Sequence, residues 1–260
     1  MNEKKIKQDV SKKQIEIIHL LSKYRFITTH QFQQLLHHKD SHRIKVWLTD
    51  LFDKKYVNRQ FDRTSFSRSN KPAVYFLSPK ARVLLKQDGK EHSNFKYMYK
   101  ELNRTETFIS HCLFLVDVYV FLKSLSTKSE EIKFFTKHEL GRYTHFPSPL
   151  PDAFIAVTSA KVTKRYFLDI IDEGIPSWVI KNRIKQYISC AESSDWVEQT
   201  GNVPFPTILL ILPTEKLQHQ SAIFATSLLD SSFEDISLFL TSKQQLNSGV
   251  GDTIWQKVTT

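Results

Sequence analysis

Residues 151–174, PDAFIAVTSAKVTKRYFLDIIDEG, place Asp152, Asp169 and Asp172 at the ends of two short apolar runs. Metal-assisted phosphodiester cleavage needs two carboxylates close enough to share a divalent cation, and a lysine to polarise the attacking water. Magnesium prefers oxygen ligands in near-octahedral geometry, which suits aspartate and glutamate. A hairpin can bring such a pair together. If its turn centres on Ala160 and Lys161, position 152 faces about 169–171 on the returning strand. The two-residue period of a strand then puts Asp169 and Ile171 on one face and Asp172 on the other. Asp152 and Asp169 are the candidate catalytic and metal-binding pair, with Glu139 reaching in from the preceding strand.

The elements around this hairpin can be read from hydrophobic pattern. The segment TETFISHCLFLVDVYVFLKSL has apolar residues at helical spacing and a second face that is also largely apolar, so it is expected to be an internal helix. EIKFFTKHEL is expected to be a strand ending near Glu139, followed by the proline-punctuated loop THFPSPLP. DAFIAVT and RYFLDIID form the hairpin, and Pro176 and Ser177 open the helix SWVIKNRIKQYISC. The unbroken apolar run FPTILLILPT reads as a buried central strand, and a helix and a further strand follow. The order α-β-β-β-α-β, with an added α-β, implies a mixed sheet flanked by helices.

The N-terminal part has a different character. Helical spacing marks KQIEIIHLLSKYRF, then a short helix after Thr28, whose spacing to Gln31 is that of a capping box. A third helix, SHRIKVWLTDLFDKK, can be capped by Asp40 or Ser41. Its Ile44, Trp47, Leu48 and Leu51 share one face. His42, Arg43, Lys45, Val46 and Thr49 share the other. Two strands around the basic loop RQFDRTSFSRSNK follow, and then Ser78-Pro79 as N-cap and first residue of another helix. Three helices and a basic hairpin make a winged helix-turn-helix, whose polar helix face can enter the major groove. His42, Arg43, Lys45 and Thr49 are then the candidate reading residues, and Arg59, Arg63, Arg68 and Lys71 the phosphate contacts of the wing.

Charge follows the same division. Residues 1–105 carry 23 Lys/Arg against 10 Asp/Glu and the remainder 14 against 17, so a net of +13 precedes a net of −3. A domain-sized basic block points to a polyanion, here double-stranded DNA. No unbroken apolar run approaches the roughly 20 residues of a bilayer span. The charged N-terminus has no apolar stretch behind it, so no secretory leader is expected. Cys112 and Cys190 are expected to be reduced residues of a cytoplasmic protein. Nucleotide-binding glycine motifs, zinc-spaced cysteine pairs and a G-x-S-x-G elbow are all missing from the sequence.

The element order is similar to the PD-(D/E)xK nuclease-like superfamily, with its restriction-endonuclease-like core. The chain more closely resembles the replication-relaxation family of plasmids and integrative conjugative elements. Tyr24 to Gln31, Pro72 to Ala81, His111, Glu139, Pro151-Asp152, Asp169 to Gly174, and Lys185 with Tyr187 carry that likeness. It implies a DNA-binding accessory protein of plasmid replication or transfer, working beside a relaxase or replication protein. The superfamily's lysine lies two residues after the second acid, and here that position is Ile171. Lys181 or Lys185 on the next helix would have to replace it. If Asp172 is aligned instead, Ile170 stands in the place of the preceding acid. Either way the set is incomplete.

The expected fold is therefore α+β. It comprises a winged helix-turn-helix over 1–88, a linker over 89–104, and a catalytically degenerate nuclease-like α/β domain (αβββαβ) over 105–260. No cofactor is expected. An active Mg-dependent nuclease using Asp152, Asp169, Glu139 and Lys181 is the alternative. A transcription regulator whose second domain senses a ligand or forms a homodimer is another. No membrane partner is expected.

Overall fold

In the computed structural model the described residues are 9–61, 72–87, 95–127, 129–141, 143–160, 162–201, 203–230, 232, 236–248 and 254–259. The chain is mixed α+β and divides into two compact units, Met1–Val120 and Phe121–Thr260.

In the first unit, α1 (Lys12–Tyr24), β1 (Ile27–Thr28), α2 (Thr29–Leu35) and α3 (Ser41–Asp53) precede β2 (Val57–Gln60) and β3 (Val74–Leu77). The capping box expected at Thr28 and Gln31 is present, and a second one, Ser11 with Gln14, opens α1. Asp40 caps α3, its Oδ1 accepting from the His42 backbone N–H at 2.7 Å. β3 lies between β1 and β2 and is antiparallel to both. Ile17, Ile18, Leu21, Phe32, Ile44 and Leu48 are buried.

Pro79 begins a 3-10 turn (Pro79–Ala81) that runs into α4 (Arg82–Gln87). Ser78 is not its side-chain cap. Its hydroxyl instead donates to the Lys55 carbonyl, tying the end of β3 to the turn before β2. Two further 3-10 turns, Phe95–Tyr99 and Glu101–Asn103, lead to α5 (Glu106–Leu125).

By length and composition alone α5 could cross a membrane. Its apolar residues have another use, because Ile109 and Cys112 pack with Phe26 and Phe76. Gln31 Nε2 donates to the Leu113 carbonyl and to Asp117 Oδ1, at 2.8 and 2.7 Å.

The second unit is built on a six-stranded sheet in the order β4-β5-β6-β7-β8-β9. Its strands are β4 (Glu130–Thr136), β5 (Ala153–Ser159), β6 (Val162–Ile170), β7 (Thr207–Leu212), β8 (Leu238–Ser242) and β9 (Gln256–Lys257). β4 and β6 each run antiparallel to β5 between them, β6, β7 and β8 run parallel, and β9 closes the far edge antiparallel. Parallel neighbours need crossover connections. These are α6 (Ser177–Glu192) with α7 (Ser194–Thr200), then α8 (Glu215–Leu229). α9 (Lys243–Ser248) follows β8. β7 is buried from Ile208 onward, as its unbroken apolar run predicts. The core joins Phe167, Ile208, Leu210 and Leu240 of the sheet to Ile180, Ile184 and Tyr187 of α6 and to Ala225 of α8.

One polar contact fixes the end of α1. Arg25, at φ 71°, turns its guanidinium over the Phe108 ring at 4.5 Å and donates from Nε to Glu101 Oε1 at 2.8 Å. Glu101 is only 1% exposed. Without Arg25 this buried acid keeps, among the described residues, only Arg104, 3.4 Å away, so Arg25→Ala should cost about 3 kcal/mol. Urea unfolding followed by tryptophan fluorescence measures this. A loss under about 0.5 kcal/mol, the range of an ordinary surface substitution, would contradict it.

Candidate functional site

The hairpin does bring the two aspartates together. Ala153 pairs with Leu168, so the next step outward sets Asp152 opposite Asp169, at the end of β6 where it leaves the sheet. The turn is tight because Ala160 adopts a left-handed conformation, φ 51°. The Asp152 backbone N–H donates to Asp169 Oδ1 at 3.0 Å. In return the Ile170 N–H donates to Asp152 Oδ2 at 2.9 Å. Each carboxylate thus closes the backbone ladder of its neighbour's strand.

The remaining Asp169 oxygen is also occupied. Arg183 Nε donates to Oδ2 as an ion pair with both side chains buried. The Tyr187 hydroxyl donates to the same oxygen at 2.9 Å and accepts from Arg183 Nη2 at 3.1 Å. Arg183 Nη1 reaches the Pro149 carbonyl at 2.6 Å, which pins the loop before β5. Arg183 and Tyr187 are four residues apart, so a single face of α6 presents both. Burial pushes the Asp169 carboxyl up and the nearby Asp152 adds to this, while Arg183 and Tyr187 pull it down. Burial also drives the Tyr187 phenol well up, so it serves as a neutral donor.

The other expected participants are engaged elsewhere. Glu139 folds back onto the end of β4, where its Oε2 accepts from Thr136 N and Oγ1 at 2.8 and 2.9 Å. Lys181 and Lys185 stand over the Phe224 ring of α8, at 5.0 and 6.0 Å. Asp172 lies past the end of β6 and pairs with Lys243 at 3.1 Å. Lys137 Nζ lies 3.9 Å from Asp152 Oδ1. Among the described residues no cluster of three or more His, Cys, Asp or Glu is placed to hold a metal ion. The donor set does not fit magnesium in this arrangement, because the guanidinium already occupies the carboxylate that would face it.

In the first unit α3 has the two faces its sequence implies. Ile44, Leu48 and Leu51 are buried and Trp47 is half-buried, while His42, Arg43, Lys45, Val46 and Thr49 are exposed. Arg43 lies 5.9 Å from the Trp47 ring centroid. Arg59, on β2, packs its guanidinium over Phe52 at 4.3 Å and near Phe61 at 5.4 Å. The candidate wing residues Arg63, Arg68 and Lys71 lie outside the described residues. This surface joins exposed cations on a helix to a cation on the adjoining strand, an arrangement that suits a polyanion.

Sequence reasoning missed Arg183, the residue that decides the chemistry of the acidic pair. Its only signal was the four-residue spacing to Tyr187, which marks a shared helix face without saying what that face meets.

A mixed α+β chain with a basic helical surface and a buried acid–arginine pair is the class these features define. The replication-relaxation family model matches residues 18–205, which include α3, the hairpin and Arg183. The chain belongs to the replication-relaxation family. No curated protein sequence matches it significantly. Among solved structures it is similar to the restriction endonuclease FokI at 12% identity and TM-score 0.35, over 88% of this chain and 41% of that one. FokI bound to DNA gives 10% identity and TM-score 0.33, over 90% and 43%. The chain thus spans about two fifths of that enzyme's length.

Two outcomes follow for the second unit. Arg183→Ala should destabilise it by about 3–5 kcal/mol, and adding Asp169→Leu should recover part of that loss because no lone buried charge remains. Chemical denaturation of both variants checks this, and a double variant less stable than the single would contradict it. The half-buried Cys190 thiol is pushed up to about 11 by burial and by Asp195, so it should alkylate slowly at pH 8. Its iodoacetamide rate, followed by peptide mass spectrometry, should rise about tenfold per pH unit up to pH 10, since the thiolate is the reacting form. A plateau below pH 9 would be inconsistent with that environment.

Proposed function

We propose that the chain is a DNA-binding accessory protein in the replication or conjugative transfer of a plasmid or related mobile element, acting in the cytoplasm. In this reading residues 1–88 form a winged helix-turn-helix. α3 is the reading helix, and β2, β3 and the basic loop between them form the wing. The second unit, with a nuclease-like element order, clamps DNA or docks a relaxase or replication protein.

The observation that carries this reading is the segregation of α3. Every apolar position needed for packing is turned inward except Val46, and His42, Arg43, Lys45 and Thr49 are left outward together. Helix order and the antiparallel sheet beside it support the winged-helix assignment. The net charge of the first 105 residues supplies the long-range attraction.

Nuclease activity is the weaker reading. It asks Asp152 and Asp169 for metal ligation, and Asp169 is bound by Arg183 and Tyr187.

DNA affinity should fall linearly on a log–log plot against salt, as counterion release requires. In a titration of fluorescent duplex, Arg43→Glu with Lys45→Glu should weaken binding by at least about 30-fold, since each of the two contacts is worth roughly 1–3 kcal/mol. Unchanged affinity in this variant would remove α3 from the interface.

A further inference from the structure

The outer face of α6 carries a surface that the DNA-reading helix does not need. Trp178, in the first turn of α6, is 65% exposed. A tryptophan buries more apolar area than any other side chain, and leaving one mostly in water forgoes that gain. Lys181 and Lys185 follow it at helical spacing, with Asn182 between them, and all three are exposed. The two ammonium groups are not free to wander, because both stand over Phe224 of α8 at 5.0 and 6.0 Å. The neighbouring acid Asp172 is paired with Lys243 at 3.1 Å, which offsets its charge. The face runs into an open cleft of about 450 Å³ whose lining includes Lys185, Gln186, Ser189 and Ser193 together with one acid, Asp195.

An exposed indole followed by two positioned cations one helical turn apart suits a ligand with flat π faces strung on a polyanion. Duplex DNA hides its base faces in the stack. A single strand presents both its base faces and its phosphates, and base–aromatic stacking tolerates any sequence. We infer that α6 is a single-stranded nucleic-acid platform, with a base stacking on Trp178 and the flanking phosphates meeting Lys181 and Lys185. Placed in the second unit, this site is separate from the α3 surface. A replication or transfer protein with both would bind duplex through one unit and single strand through the other.

The test uses the full chain with two fluorescent probes, a dT20 single strand and a 20-base-pair duplex. Trp178→Ala should weaken dT20 binding about tenfold, as loss of one stacked base implies. Separately, Lys181→Glu with Lys185→Glu should weaken it about as much and flatten its salt dependence, as loss of phosphate contacts implies. Duplex affinity should change less than twofold. All of these side chains are exposed, so thermal melting should confirm that the variants stay folded. Equal dT20 affinity in wild type and Trp178→Ala would overturn the proposal and leave the indole to a protein partner. Duplex binding lost only in the α3 variant separates failure of this inference from failure of the DNA-reading one.

Discussion

A carboxylate buried at the end of a central strand cannot stand alone, and the second unit is organised around that constraint. Asp169 closes the backbone of the β5 side through Asp152, so it cannot be replaced without loosening the hairpin. Desolvating its charge costs several kcal/mol, which only a close and well-bonded countercharge can offset. Arg183 supplies it. In doing so it fixes the rotation of α6, which turns Ile180, Ile184 and Tyr187 into the core and leaves Trp178, Lys181 and Lys185 outside. The Pro149 carbonyl bond extends the same network into the loop before β5. One ion pair therefore sets the hairpin, the helix crossing the sheet and the face the helix shows to solvent.

The first unit answers a different constraint. Its helices must bury enough apolar surface to hold a small three-helix core while keeping one face of α3 free. Separating Ile44, Leu48 and Leu51 from Arg43, Lys45 and Thr49 does both with one helix. Glu101 shows what the surplus positive charge allows. This almost fully buried acid is tolerated because Arg25 and Arg104 both reach it.

Much of this was legible in the sequence, for identifiable reasons. The capping pairs Thr28–Gln31 and Asp40 are local chemistry, and local chemistry reads directly from residue spacing. The register that sets Asp152 against Asp169 followed from strand period and the position of the turn. The buried character of β7 followed from its unbroken apolar run. What could not be read was anything decided by a partner distant in sequence. Arg183 lies fourteen residues beyond Asp169, and only the packing of α6 on the sheet reveals that they meet. Glu139 is the exception: it looked like a third acid, yet the capping-box spacing that ties it to Thr136, three residues before it, is local and legible. Ser78 looked like a cap and bonds to Lys55 instead.

We propose that this chain engages DNA without cutting it, because Arg183 and Tyr187 hold the acid that a metal would need. Incubation of supercoiled plasmid with the protein in Mg²⁺ or Mn²⁺, followed by deproteinisation and gel analysis, tests it most directly. The plasmid should be retarded before deproteinisation and run as intact supercoils afterwards. Nicked circles formed by the wild type and abolished by Asp152→Ala would contradict the account.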